Sequence, residues 1–260
     1  MCAATSDPLI AYATFGWLPE QFTGVSYQVG SYGDGALARG PGELPPTMWL
    51  TVHDAEPGLN GRQRQLFGHI EPHRLGVRVG DKQGYWLTRD PRDPLNGGDA
   101  YLRWRFPDGK WAELNAYYLD VADPQAVLLR VADNVAAVER PVPLPVRIRD
   151  LPENYLLADV ELSRPPAQSA GAWELQLRFT VNGATVTIDV FPEGTRPDGF
   201  GLGLGVVQSA RTTANGLEAW VSVDRPTAAG LDRLGGPEGL LDRLDLLGPD
   251  ENAWTTSVFG

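Results

Sequence analysis

The side chains most often used for chemistry are sparse in this chain. It has three histidines, His53, His69 and His73. His69 and His73 stand at i and i+4, a spacing that can set two metal ligands on one helix face. Pro72 lies between them, and an interior proline breaks a helix. Glu71 and Asp54 could complete a ligand set, but no motif nominates either, so no metal site is expected. His53-Asp54 offers half of a proton-transfer pair, yet adjacent residues on a strand point to opposite faces. No serine sits in a GxSxG elbow, and a nucleophile needs a base within hydrogen-bond reach. Residues 199–205, Gly-Phe-Gly-Leu-Gly-Leu-Gly, lack the GxGxxG spacing and the GK[ST] ending that cradle phosphates. They read first as part of a plain loop over residues 192–205, with a close-packed strand or a flexible lip over an apolar groove as the alternative. The reading is of no catalytic residue and no cofactor.

The aromatic side chains are the richer set. Trp86, Trp104, Trp111, Tyr117, Tyr118 and Phe200 are the candidates for a ligand groove, because aromatics off the core face of a curved sheet can wall a site for lipid, glycan or peptide. The competing reading is that they fill a core between sheet and helix.

Composition narrows the classes. The net charge of −11 supplies no basic footprint for nucleic acid and disfavours docking on anionic headgroups by charge alone. A single cysteine, Cys2, excludes an internal disulfide and a cysteine-based zinc site. No run approaches the roughly 18 apolar residues of a membrane span. Gly (30) and Pro (22), with eight Trp and eight Tyr, point to a turn-rich, mostly β protein. The opening Met-Cys-Ala-Ala-Thr-Ser is similar to the start of a mature bacterial lipoprotein, whose cysteine carries the lipid. A signal or membrane segment is expected to have preceded it.

The elements that must position these residues follow from periodicity and turn chemistry. Asp7-Pro8 opens an expected short helix that ends at Gly16 and Pro19. Residues 25–29 and 48–52 alternate as half-buried strands. Residues 30–46 read as a loop and residues 56–72 as a solvated excursion. Residues 75–79 and 85–88 form a hairpin, and residues 101–106 and 111–117 form another around Pro107-Asp108-Gly109-Lys110. Leu102, Trp104 and Phe106 share the face that should meet the core. Asp123 caps a helix over residues 124–138, whose Val127, Leu128, Val131 and Val135 make one apolar stripe.

Glu139 to Pro145 is the expected connector. Beyond it the order returns. Asp150-Leu-Pro-Glu153 matches Trp17-Leu-Pro-Glu20. Residues 156–162 form a strand, and residues 173–181 and 184–190 pair through Asn182-Gly183. Residues 206–210 and 217–223 pair through Asn215-Gly216. Gly236-Pro-Glu-Gly-Leu-Leu-Asp-Arg-Leu matches Asp123-Pro-Gln-Ala-Val-Leu-Leu-Arg-Val. Residues 255–259 could return to a sheet.

Leu102-Arg103-Trp104, the Asp108-Gly109 turn, the Trp111 to Leu114 strand and the Leu-Leu-Arg-Val-Ala-Asp-Asn-Val helix form one pattern. It resembles the extracytoplasmic domains of actinobacterial anti-sigma-like membrane proteins, related loosely to RseB-type sensors and lipoprotein carriers. The segments DPLIAYATFGWLP and PVPLPVRIRDLP are similar to that group as well. The resemblance implies an extracytoplasmic sensor and carries no catalytic residue.

The expected fold is α+β, with two tandem units of mostly antiparallel, curved sheet, each closed by a C-terminal helix. The first unit covers residues 1–138, a Pro-rich connector and strand residues 139–150, and the second unit residues 151–260. The expected function is a non-catalytic extracytoplasmic sensor or binding domain for a lipidic or peptide ligand, with an envelope protein as a further partner. It would meet the membrane only through a missing N-terminal anchor or a lipid. The alternatives are a secreted or lipid-anchored hydrolase and a structural cell-envelope module.

Overall fold

The computed structural model describes residues 8–30, 34–167, 172–195, 208–225 and 230–260. In chain order the first half holds β1 (Ile10–Ala11), β2 (Thr14–Phe15), β3 (Gly24–Val29), β4 (Asp34–Arg39), β5 (Thr47–His53), α1 (Gly61–Phe67), β6 (His73–Val79), β7 (Lys82–Thr88), β8 (Asp99–Arg105), β9 (Trp111–Tyr117), α2 (Pro124–Asp133) and β10 (Val135–Ala136). The second holds β11 (Arg140–Pro141), β12 (Val146–Ile148), β13 (Leu156–Ser163), β14 (Glu174–Val181), β15 (Ala184–Pro192), β16 (Gln208–Ala214), β17 (Leu217–Val223), α3 (Gly236–Leu241) and β18 (Leu244–Leu246).

Twelve strands make one continuous antiparallel sheet, in the order β16-β17-β15-β14-β13-β3-β4-β5-β9-β8-β7-β6. The two halves of the chain therefore share a sheet instead of each closing its own. They meet where β3 pairs with β13. From that seam each half runs outward the same way. β3-β4-β5 is followed by β9 and β8, and β13-β14-β15 by β17 and β16. The first half then adds one more hairpin, β7 and β6.

The two halves also begin and end alike. The Phe22 N–H donates to Pro19 O and the Tyr155 N–H to Pro152 O, each at 2.9 Å, so Leu-Pro-Glu makes the same turn twice. The spacing that carries Pro19 to Pro152 also carries Gln28 to Glu161, and Gln28 and Glu161 lie directly opposite each other. Tyr27 faces Leu162 and Val29 faces Val160 on either side of them. Equivalent strands that pair antiparallel about one central pair are related by a local two-fold axis. Each half also ends with a helix followed by a short strand that returns to the strand before the Leu-Pro-Glu turn. β10 pairs with β2, and β18 pairs with β12.

One face of the sheet is predominantly apolar. Leu162, Tyr27, Ala36, Leu50, Leu114, Leu102, Trp86 and Leu75 are successive cross-strand neighbours on it. α2 covers the first half of this face through Leu128 and Val131, packed with Trp86, Trp104 and Met48. α3 covers the second half through Leu240 and Leu241, packed with Val221 and Ile188. The Asp123 carboxylate caps α2 by accepting the Ala126 N–H at 2.9 Å, and Pro124 occupies the first turn.

Four local expectations are corrected. Residues 8–18 form no helix. Ala11 and Ala13 are buried on either side of Tyr12, a period of two, and the segment pairs as β1 with β11 and β2 with β10. The expected loop at residues 30–46 contains β4. Its Asp-Gly-Ala-Leu-Ala-Arg sequence has weak β propensity, but small residues are required there. A Cβ on Gly35 would lie 2.2 Å from Leu50 O. The expected solvated excursion contains α1, held by side chains that a propensity reading does not see. α2 ends at Asp133, and Val135 is buried in β10 instead of continuing the helix. The C-terminal residues return only through isolated bridges, Leu144 to Thr255 and Ile148 to Phe259.

Candidate functional site

The opposite face of the sheet is polar, and one row crosses all twelve strands. In order it reads Arg211, Trp220, Asp189, Gln176, Glu161, Gln28, Gly35, Thr51, Glu113, Arg103, Tyr85 and Gly76. Alternation along each strand puts these residues on one side. The row has a covered end, an open middle and a second end built differently.

At the covered end, residues 54–72 fold over the sheet. The buried Arg103 guanidinium donates from Nε to Glu113, from Nη1 to Pro57 O (2.6 Å), and from Nη2 to Gly58 O (2.9 Å) and Gln63 Oε1 (3.1 Å). Gln63 Nε2 donates to Asn115 Oδ1 (3.3 Å), and Asn115 Nδ2 donates to Glu113 Oε1 (3.0 Å). Gln63 also closes a reciprocal cap with Asn60 at the start of α1. One glutamine thus fixes both the helix start and its seat on the sheet. Phe67 fills the other end of α1 among Tyr101, Tyr117, Tyr85 and Leu87.

The rim of this cover is charged. Tyr85 Oη donates to Glu56 Oε1 (2.5 Å), and Arg74 reaches the same oxygen (2.8 Å). Arg62 forms a two-pronged pair with Asp99 and lies 3.9 Å from the Tyr117 ring centroid. Burial raises the Tyr85 and Tyr101 pKa values and pushes Tyr117 up to about 12. Burial lowers the His53 pKa, against the opposing charge of Glu113. His53 Nε2 and Thr51 Oγ1 are 3.0 Å apart. The network holds a matched ion pair whose remaining donors are taken by backbone carbonyls and amides, the arrangement a buried charge requires. Its chemistry is that of a clasp.

In the second half, Asp189 is 4% exposed. It accepts from Gln176 Nε2 at 2.9 Å. Arg178 binds Gln176 Oε1 (2.8 Å) and Asp159 (3.2 Å). Burial raises the Asp189 pKa to about 6, against the opposing Gln176 bond and Arg178 charge. Burial also raises Glu174, helped by Asp189 and Glu161. Arg211 lies 3.6 Å from Glu218 Oε1 and 5.5 Å from the Trp220 ring centroid.

The aromatic candidates are divided by the sheet. Trp86 and Trp104 are wholly buried on the apolar face beneath α2. Their indole N–H groups find no acceptor among the described residues. Tyr117 and Trp111 lie on the polar face, with Trp111 5.9 Å from Tyr85. Tyr118 is 48% exposed at a positive φ of 56°. Phe200 and the glycine-rich residues 199–205, like Cys2, lie outside the described residues. His69 and His73 are exposed near the α1–β6 junction, apart from the half-buried His53. No group of three or more His, Cys, Asp or Glu suited to a metal occurs among the described residues. No described helix is long and apolar enough to cross a membrane.

Sequence reasoning missed Arg103, Glu113, Gln63 and Asn115. The signal was present. Counting outward from Pro107-Asp108-Gly109 sets Arg103 directly opposite Glu113, on the face away from Leu102 and Trp104.

No family model matches this chain, and no curated protein does. Among solved structures it is similar to MucB in complex with MucA(peri), at 14% identity over 86% of this chain and 93% of that one, with a TM-score of 0.26. A Pseudomonas aeruginosa MucA/MucB complex matches at 13% identity over 86% and 93%, with a TM-score of 0.26. MucB alone matches at 13% identity over 88% and 92%, with a TM-score of 0.27. Similarity this low carries no argument about the site.

Proposed function

We propose that this chain is a non-catalytic, extracytoplasmic binding domain. It is a duplicated sheet-and-helix unit that takes an envelope protein as its partner on the sheet. The observation that carries this reading is the assignment of the polar face. Where polar groups converge most tightly, at Arg103 and Glu113, they hold the chain's own residues 57, 58 and 63. A cleft for catalysis would instead aim unmatched groups at a reacting atom. Between a lipid and a polypeptide, the second is favoured. The space beneath α2 is filled by Trp86, Trp104, Leu128 and Val131, whereas strand edges and a polar sheet face suit backbone and polar recognition. The sequence resemblance to anti-sigma-like extracytoplasmic domains agrees with an envelope location and a protein partner.

Native mass spectrometry of the chain purified from the envelope of its own host tests this. A co-purifying protein that is lost when Glu161→Lys reverses charge at the centre of the polar row supports the reading. Turnover of an ester, peptide or glycan substrate that His53→Ala abolishes overturns it, as does a retained lipid with no protein.

A further inference from the structure

The local two-fold axis through Gln28 and Glu161 makes the two halves comparable strand by strand. Counting outward, Gly35 corresponds to Gln176, Thr51 to Asp189, Glu113 to Trp220 and Arg103 to Arg211. Beyond Arg103 stands β7, with Tyr85 opposite Arg103 and Trp86 opposite Leu102. Beyond Arg211 no further strand follows among the described residues. Among the described residues, β16 pairs only with β17.

The turn fixes which backbone groups face outward. Asn215 and Gly216 both have positive φ, 54° and 75°, as in a two-residue type I′ hairpin. The flanking Ala214 and Leu217 then exchange both hydrogen bonds, and alternate pairs along the ladder do not. Ser209, Arg211 and Thr213 consequently present their N–H and C=O groups away from β17.

The side chains around this edge are suited to receiving a strand. Ser209, Ala210, Thr212, Thr213 and Ala214 are small. On the core side Ala210 and Leu234 already pack against the second-half core, so apolar side chains of an added strand would extend that cluster. On the polar side lies an open depression of about 410 Å³, lined by Glu193, Gly194, Arg211, Thr212, Thr213 and Glu218. The Arg211 side chain is 64% exposed there, whereas Arg103 is held by carbonyls of residues 57 and 58. The other edge of the sheet is guarded. β6 carries exposed His73, Arg74 and Arg78, the charged rim that discourages strand addition.

We propose that the outer edge of β16 is a docking slot for an extended polypeptide segment of a partner protein. The segment adds as a further antiparallel strand, in the position β7 holds on β8. Its side chains alternate, apolar ones over Ala210 and Leu234 and polar ones over the depression beside Arg211. This rests on the reading of the chain as a protein-binding domain and names where the partner is held.

The test uses the intact chain and an acetylated, amidated peptide of the β7 sequence, Lys82–Thr88, followed by amide hydrogen exchange and NMR titration. The expected result is saturable binding that slows exchange at Ser209, Arg211 and Thr213. Thr213→Pro removes one outward N–H without touching the β17 ladder and should weaken binding by ~10-fold, with the circular dichroism spectrum unchanged. Arg211→Ala, which keeps the backbone donor, should weaken it less. Protection confined to β8, no saturable binding, or equal binding by Thr213→Pro overturns the slot. So does a concentration-dependent dimer that Thr213→Pro abolishes, because the occupant is then a second copy. A host partner whose binding survives Thr213→Pro sinks the slot and leaves the binding-domain reading standing. Peptide protection of β16 with no host protein partner sinks the broader reading instead.

Discussion

Arg103 and Arg211 each stand four strands out from the Gln28–Glu161 pair, on the same face of the same sheet. Arg103 is 2% exposed and closed in by Glu113, Gln63 and two carbonyls. Arg211 is mostly in solvent, near one carboxylate and one ring. The first half has converted its position into a clasp by inserting residues 54–72 and adding the β6–β7 hairpin. In the second half, no comparable cover closes over Arg211 among the described residues. The same charge is thus a fixed structural part at one end and an available one at the other.

Breaking the clasp should have the largest effect. Glu113→Ala leaves Arg103 buried and unpaired, and should cost about 3–5 kcal/mol in a urea or guanidinium titration. Replacing Arg103 and Glu113 together by Met and Leu should recover much of that loss. Near-zero cost for Glu113→Ala would mean that residues 54–72 do not seal the pair from water. Glu218→Ala, which removes the carboxylate near Arg211, should cost well under half as much, because Arg211 keeps its water.

Phe67→Ala should come next, at about 3 kcal/mol. It should also speed amide exchange across Gly61–Phe67 more than across β8 and β9, since α1 is seated by this ring and Gln63. Uniform faster exchange would show that the cover and the sheet open as one unit.

The buried acid of the second half should give the next largest effect. Burial raises Asp189 from 3.8 to about 6, so between those pH values the native state holds a proton that the unfolded chain has released. The stability contributed by this group is complete below pH about 4 and is lost as pH rises through about 6. Asp189→Asn keeps the acceptor for Gln176 and removes the charge. It should stabilise the chain by about 2 kcal/mol at pH 7 and flatten the wild-type decline between pH 4 and 7. Equal slopes in both proteins would place the titration elsewhere.

Arg62→Ala should be the mildest change, about 0.5 kcal/mol, because the Asp99 pair sits at the solvent-facing rim. Salt should erase most of it.

Local chemistry determined the parts that the sequence alone could deliver. Asn182-Gly183, Asn215-Gly216 and Pro107-Asp108-Gly109 set three hairpins, and Asp123-Pro124 set the start of α2, because each acts through neighbours a few residues away. The repeated Leu-Pro-Glu turn was visible for the same reason. What the tertiary structure decided is non-local. β4 exists because Gly35, Ala36 and Ala38 fit between β3 and β5, and its composition hides it. α1 exists because Gln63 and Phe67 find partners near residues 101–117. The merger of the halves rests on β3 meeting β13 about 130 residues later, a pairing that pays its loop-closure entropy only once both sheets exist. The side of the sheet on which each aromatic lies was set by register. A shift of one residue reverses every side chain, and register is fixed only when the strands have met.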